Sequence, residues 1–65
     1  MKALKQIEND KRVSQVERVY DDGERFYLLW LNDGYQYGDG SHVNRADTVK
    51  ELNELLRDIE EESNI

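Results

Sequence analysis

Asp39, Ser41 and His42 put a carboxylate, a hydroxyl and an imidazole within a few positions of one another, inside the run Gly38-Asp39-Gly40-Ser41. In the right geometry such a set hydrolyses acyl bonds. Nucleophile, base and orienting group ordinarily come from separated parts of a fold and meet in a pocket, so closeness along the chain argues against a triad, and a polar connecting loop explains the same residues. Glycines ahead of a helix also suggest a phosphate cradle. The P-loop lysine and spacing are missing, and Asp39 and Asp47 would repel a phosphate. Asn32, Asp33 and Asp39 lack the alternating ladder and closing glutamate of a calcium loop, and Asp21-Asp22 reads as turn chemistry. One histidine and no cysteine leave zinc short of ligands. The expectation is a chain that is not an enzyme, with no catalytic residues, no cofactor and no dedicated metal site.

Two other groups carry recognition chemistry. Tyr27, Trp30, Tyr35 and Tyr37 could stack unpaired bases, but that platform normally sits in a positively charged groove. Here Arg18, Arg25 and Arg45 are outnumbered by Glu17, Asp21, Asp22, Glu24, Asp33 and Asp39. The chain carries a net charge of −6, and residues 46–65 hold seven acids against two bases. An acidic surface repels phosphate backbones and anionic lipid headgroups. Neither nucleic acid nor a membrane is therefore an expected partner; a basic protein surface is. Glu51, Glu54, Asp58 and Glu61 step by three and four, which places them on one side of a helix. Such a ribbon could imitate a phosphate backbone and occupy the basic groove of a nucleic-acid-handling protein. The same spacing also describes an ordinary solvated helix face.

The elements that position these groups follow from length and patterning. Sixty-five residues make one domain, 1–65. A chain of this size buries only about 60% of its unfolded surface and commonly leans on a metal, disulfides or a partner subunit. The absence of cysteine removes the disulfides and points to a cytoplasmic setting. The longest apolar run, residues 26–31, is far below the roughly 18 residues of a membrane span. Residues 1–6 have no apolar stretch behind their lysines and do not read as a signal peptide.

Asp21-Asp22-Gly23 and Asn32-Asp33-Gly34 bracket residues 24–31, and Asp-Gly between apolar runs is a strong hairpin signal. The expected fold class is α+β: a three-stranded antiparallel β-meander of residues 12–20, 24–31 and 35–37, with room for a short fourth strand at 42–44. Thr48 and Glu51 form a capping box. Val49, Leu52, Leu55, Leu56 and Ile59 then make one apolar stripe, predicting an amphipathic helix over 47–60 packed on one face of the sheet. Residues 1–10 read as a short helix or a mobile arm. Residues 61–65 read as a frayed acidic tail, since acids at a helix C-terminus oppose its dipole.

The central strand carries the functional signal. Side chains alternate across a strand, so Phe26, Leu28 and Trp30 point one way and Tyr27, Leu29 and Leu31 the other. A two-residue Asp33-Gly34 turn would pair Leu31 with Gln36 and Trp30 with Tyr37, adding Tyr37 to the first set. One helix covers one face, whereas antiparallel sheets usually keep the other face polar. Unless residues 1–9 fold over the second face, it stays an exposed apolar patch, which marks an interaction surface. The leading expectation is a protein-interaction module that binds a protein partner, a symmetric homodimer being the simplest version. Its contact residues are Phe26, Leu28, Trp30 and Tyr37, or Tyr27, Leu29 and Leu31, depending on which face the helix takes.

Overall fold

In the computed structural model, which describes residues 1–62, Asp22 and Gly23 take φ of 50° and 81°. Two successive positive φ values define a type I′ turn, whose twist matches that of the strands it joins. It connects β1 (Val13–Asp21) to β2 (Glu24–Leu31) in a long antiparallel hairpin. Near its base the register slips. Val13 faces Leu31 while Gln15 faces Trp30, so β1 holds one extra residue, Ser14. The bulge has a purpose in packing. Unbulged, Val13 would share a face with Gln15; bulged, it turns inward opposite Leu31 and is buried.

The second expected hairpin does not form. Tyr35 N–H donates to Asn32 C=O at 3.2 Å, closing a turn in which only Gly34 has positive φ, at 93°. A turn with a single positive φ at its third position lacks the twist that brings two strands back together. The chain leaves the sheet instead. The expected pairs of Leu31 with Gln36 and Trp30 with Tyr37 are therefore corrected: β3 (Tyr35–Tyr37) pairs with β5 (Ile59–Glu61) in a separate two-stranded ribbon. After the excursion through residues 38–42, β4 (Val43–Ala46) returns to the far edge of β2. The result is an α+β fold whose three-stranded antiparallel sheet has the order β1-β2-β4. The third place in the sheet belongs to the segment foreseen as an optional extra strand.

The helix α2 (Val49–Arg57) begins where Thr48 Oγ1 accepts from Glu51 N–H at 3.1 Å; Glu51 in turn accepts from Asp47 N–H at 2.7 Å. It is shorter than the 47–60 expected. Asp58 caps its end, and residues 59–61 become β5 rather than a further turn of helix or part of a frayed tail. Gly38 makes this ending possible: its N–H reaches Asp58 Oδ2 at 3.3 Å, and a β-carbon there would lie 2.9 Å from Asp58 Oδ1. The expected fraying of residues 63–65 lies outside the described residues.

The short helix α1 (Leu4–Glu8) buries Ile7 completely, in one cluster with Leu52 and Leu56 of α2. Asn53 of α2 binds the N–H and C=O of Lys2 at 2.8 and 2.9 Å. Behind α1, Arg12 grips Asp10 through Nε and Nη2 at 3.0 and 2.8 Å, Lys2 adds a contact of 3.0 Å, and Arg12 Nη1 reaches Leu56 C=O at 3.3 Å. These charged hydrogen bonds tie α1, β1 and the end of α2 together and hold the Asp10 carboxyl well below the usual carboxylate range, chiefly through the Arg12 guanidinium. The core is Ile7, Val13, Leu29, Leu31, Tyr37, Ala46, Leu52 and Leu56. No helix among the described residues is long and apolar enough to cross a membrane.

Candidate functional site

Strand register sorts every side chain of the sheet onto one of two faces. Leu29 faces Val16 on one side and Asn44 on the other, and Tyr27 faces Arg18 and Ala46. This is the side that meets α2 and α1, so Leu29 and Leu31 belong to the core and half-buried Tyr27 packs against it, which takes all three out of the open contact surface. Residues 1–9 lie on this side too: Ile7 enters the same cluster, and Glu8 lies 3.6 Å from Arg18. Neither helix covers the other face.

That open face has three rows across β1, β2 and β4. Val19 stands beside Phe26; Glu17, Leu28 and Arg45 stand in line; Gln15, Trp30 and Val43 stand in line. Phe26 and Leu28 are half-buried by their neighbours, and Trp30 keeps 37% of its surface exposed. The indole is fixed from below its edge: Nε1–H donates to Glu17 Oε1 at 3.1 Å. The Arg45 guanidinium carbon sits 4.0 Å from the centre of the Phe26 ring, a cation–π contact. Asp47 and Glu24 hold that guanidinium at 3.0 and 3.6 Å and keep it more firmly protonated than usual, Asp47 foremost. The face is thus a short aromatic and aliphatic strip with an acid on its β1 side and a base on its β4 side, each already oriented.

Tyr37 is corrected out of this surface. It is fully buried on the opposite side of the molecule's sheet, and its hydroxyl donates to Leu29 C=O at 2.7 Å. Burial pushes its phenol well above the usual tyrosine range, with the nearby Asp39 carboxylate adding to the shift. Val19, Val43, Glu17 and Arg45 take part in the face although only β2 and Tyr37 were read as contact residues. The signal for them was weak. On β1 the outward positions mix Gln15, Glu17 and Val19, and β4 is too short to show a period.

The carboxylate ribbon is interrupted. Glu51 and Glu54 are on α2, Asp58 is its cap, and Glu61 has moved to β5. Glu51 is engaged by Asp47 N–H and Asp58 by Gly38 N–H, and Arg45 and Arg57 line the same shallow surface as Glu51, Glu54 and Asp58. Only Glu54 stands exposed with its carboxylate on the helix as the spacing predicted.

Around residues 39–42 the geometry is that of a braced loop. Ser41 donates both N–H and Oγ–H to Asp39 Oδ1, at 3.0 and 2.7 Å, and these bonds hold the Asp39 carboxyl below its ordinary range. The ring of His42 meets Glu62 at 2.6 Å rather than Ser41. The hydroxyl therefore faces an acid, and the imidazole braces the residue that follows β5. Among the described residues no three His, Cys, Asp or Glu side chains converge as a metal site would require.

No protein-family model matches the chain, and neither a curated protein nor a solved structure matches it. What the surface does must come from its own chemistry.

Proposed function

We propose that this chain is a non-enzymatic protein-interaction module that binds through the open face of its sheet, with Phe26, Leu28 and Trp30 as the contact residues and a second copy of the chain as partner. One observation carries the reading: both helices pack on the Leu29 side, so among the described residues no element covers the Trp30 side. Apolar strips with aromatic centres and polar edges are the usual composition of interface cores, and burying such a strip contributes about 25 cal/mol per Å² before association costs are subtracted. A small domain with no disulfide gains stability from a partner in the same step. Freedom from cysteine suits the reducing cytosol, where we place it.

Sedimentation equilibrium across the micromolar range tests this. The chain should show a concentration-dependent rise towards twice its monomer mass, and Trp30→Ala should weaken the association about tenfold or more while leaving the far-ultraviolet dichroism intact. A monomer mass at every concentration, unchanged by that substitution, would overturn self-association.

A further inference from the structure

The open face is self-complementary in charge, and this selects one way of stacking two copies. Resting on the reading that the face binds a second chain, we propose that the two copies pack face to face about a two-fold axis parallel to β2, so that Glu17 of each copy lies over Arg45 of the other.

Two sheets related by a two-fold axis lying between their faces have two simple arrangements. With the axis along β2, the flip exchanges left and right, so β1 of one copy covers β4 of the other. A pure rotation about that direction allows no slip along the strand. Phe26 then stacks on Phe26, Leu28 on Leu28 and Trp30 on Trp30, and the row Glu17–Leu28–Arg45 lies on Arg45–Leu28–Glu17. With the axis across the strands, β1 covers β1 and β4 covers β4. The outward charges of β1 are Glu17 and Asp21, and the outward charge of β4 is Arg45. The second arrangement sets acid on acid along one edge and leaves Arg45 against Arg45 on the other. The first sets acid on base twice and meets its like charge only where Glu24 lies over Glu24 at the end of β2, each beside an Arg45 at 3.6 Å.

The geometry tolerates the usual twist. Strands sit about 4.8 Å apart, and aligned sheets pack at roughly 30°, so positions one strand away from the axis shift by only about 2–3 Å. That is within reach of glutamate and arginine side chains. Both are held ready in the single chain, Glu17 by the indole N–H and Arg45 by Asp47 and Phe26, which reduces the ordering cost of pairing. The face itself is small, about 14 Å by 26 Å from strand spacing and rise. It falls at the low end of specific interfaces, so dissociation in the micromolar range or weaker is expected, and the test is set accordingly.

The chain has no cysteine of its own, so Glu17→Cys and Arg45→Cys each introduce one exposed thiol. At tens of micromolar protein with a short bismaleimide linker, a mixture of the two variants should give at least about fivefold more covalent dimer than either variant alone. Self-linking of each variant without cross-linking between them would overturn the axis along β2. A chain that sediments as a dimer but yields no 17–45 product would also overturn it, while leaving the open-face reading standing. A chain that neither sediments as a dimer nor links at all would overturn both. Charge exchange gives an independent measure. Glu17→Arg and Arg45→Glu should each weaken the dimer about tenfold, and the two together in one chain should return it to within about threefold of the original. Failure of the doubly exchanged chain to recover, with the single variants weakened, overturns the pairing.

Discussion

Tyr27, Leu29 and Leu31 differ little in size or polarity from Phe26, Leu28 and Trp30, yet Leu29 is completely buried while Trp30 keeps 37% of its surface. The two sets alternate along one strand. What separates them is supply from elsewhere in the chain: α1, α2 and the β3–β5 ribbon all contribute core residues to the Leu29 side, and Tyr37 crosses to cap Leu29 C=O. Among the described residues, the Trp30 side receives only the outward residues of β1 and β4. A face that the chain itself covers can be shaped to fit irregular elements. A face left bare must offer something regular, and three aligned rows framed by opposite charges are what a flat partner could match.

The largest test of this comparison removes the same atoms from each face. Leu29→Ala should cost about 3–5 kcal/mol, as truncation of a fully enclosed leucine does, and should leave so small a domain largely unfolded at room temperature. Leu28→Ala, at the neighbouring position but on the open side, should cost under about 1.5 kcal/mol when measured by urea denaturation well below the association range. Equal losses at the two positions would mean that the open face is part of a single-chain core after all.

How far these faces could be read beforehand depends on the two Asp-Gly pairs. Asp22-Gly23 is the hairpin turn its sequence promises, because both residues take positive φ. Asp33-Gly34 has the same letters, but Asp33 stays at negative φ, and that difference of one dihedral sends Tyr37 into the core instead of onto the Trp30 strip. The alternation within β2 was legible from residue types alone; the choice of covered face was not, since it depends on where β3, β4 and α1 go. The end of α2 was hidden for a related reason. Residues 59–61 fit a helical stripe equally well, and only the strand β3, freed from the main sheet, gives them a better partner. Val43–Ala46 showed in the sequence only as room for a short strand at 42–44 within a polar loop, yet it supplies Arg45, half of the proposed charge pair.

A second test works at the margin of the closed face, where Asp10 clamps α1 to β1 and the end of α2. Its carboxyl is 6% exposed and accepts from Arg12 and Lys2. Asp10→Asn should destabilise the fold by about 2 kcal/mol, since charged hydrogen bonds are the stronger kind and the arginine loses its counter-charge. The pH dependence follows from the direction of the shift. The folded-state pKa lies below that of the unfolded chain, so the clamp's contribution is complete above the unfolded value near 4 and fades as pH falls through the folded value. Denaturant midpoints should therefore decline between about pH 5 and pH 2 in the original chain, with a visibly smaller decline in Asp10→Asn. Parallel curves would show that the Asp10–Arg12 fork is not what closes this end.

The smallest expected effect lies on neither face of the sheet. Glu54 is exposed on α2, outside the core cluster and outside the three rows of the open face, and is the one member of the carboxylate series that keeps its helical position without a backbone partner. Glu54→Lys should change stability by less than about 0.5 kcal/mol, as surface charge substitutions usually do, and should shift the dimerisation constant by less than about twofold at 0.15 M salt, because it has no pairing position across the open face and exposed charges are screened. The contrast with Glu17→Arg makes the result informative. Both substitutions change the net charge by +2, so a bulk electrostatic origin of association predicts similar shifts from each. A local pairing across the open face predicts that Glu17→Arg weakens the dimer about tenfold while Glu54→Lys, by easing the mutual repulsion of two acidic chains, leaves it equal or slightly tighter.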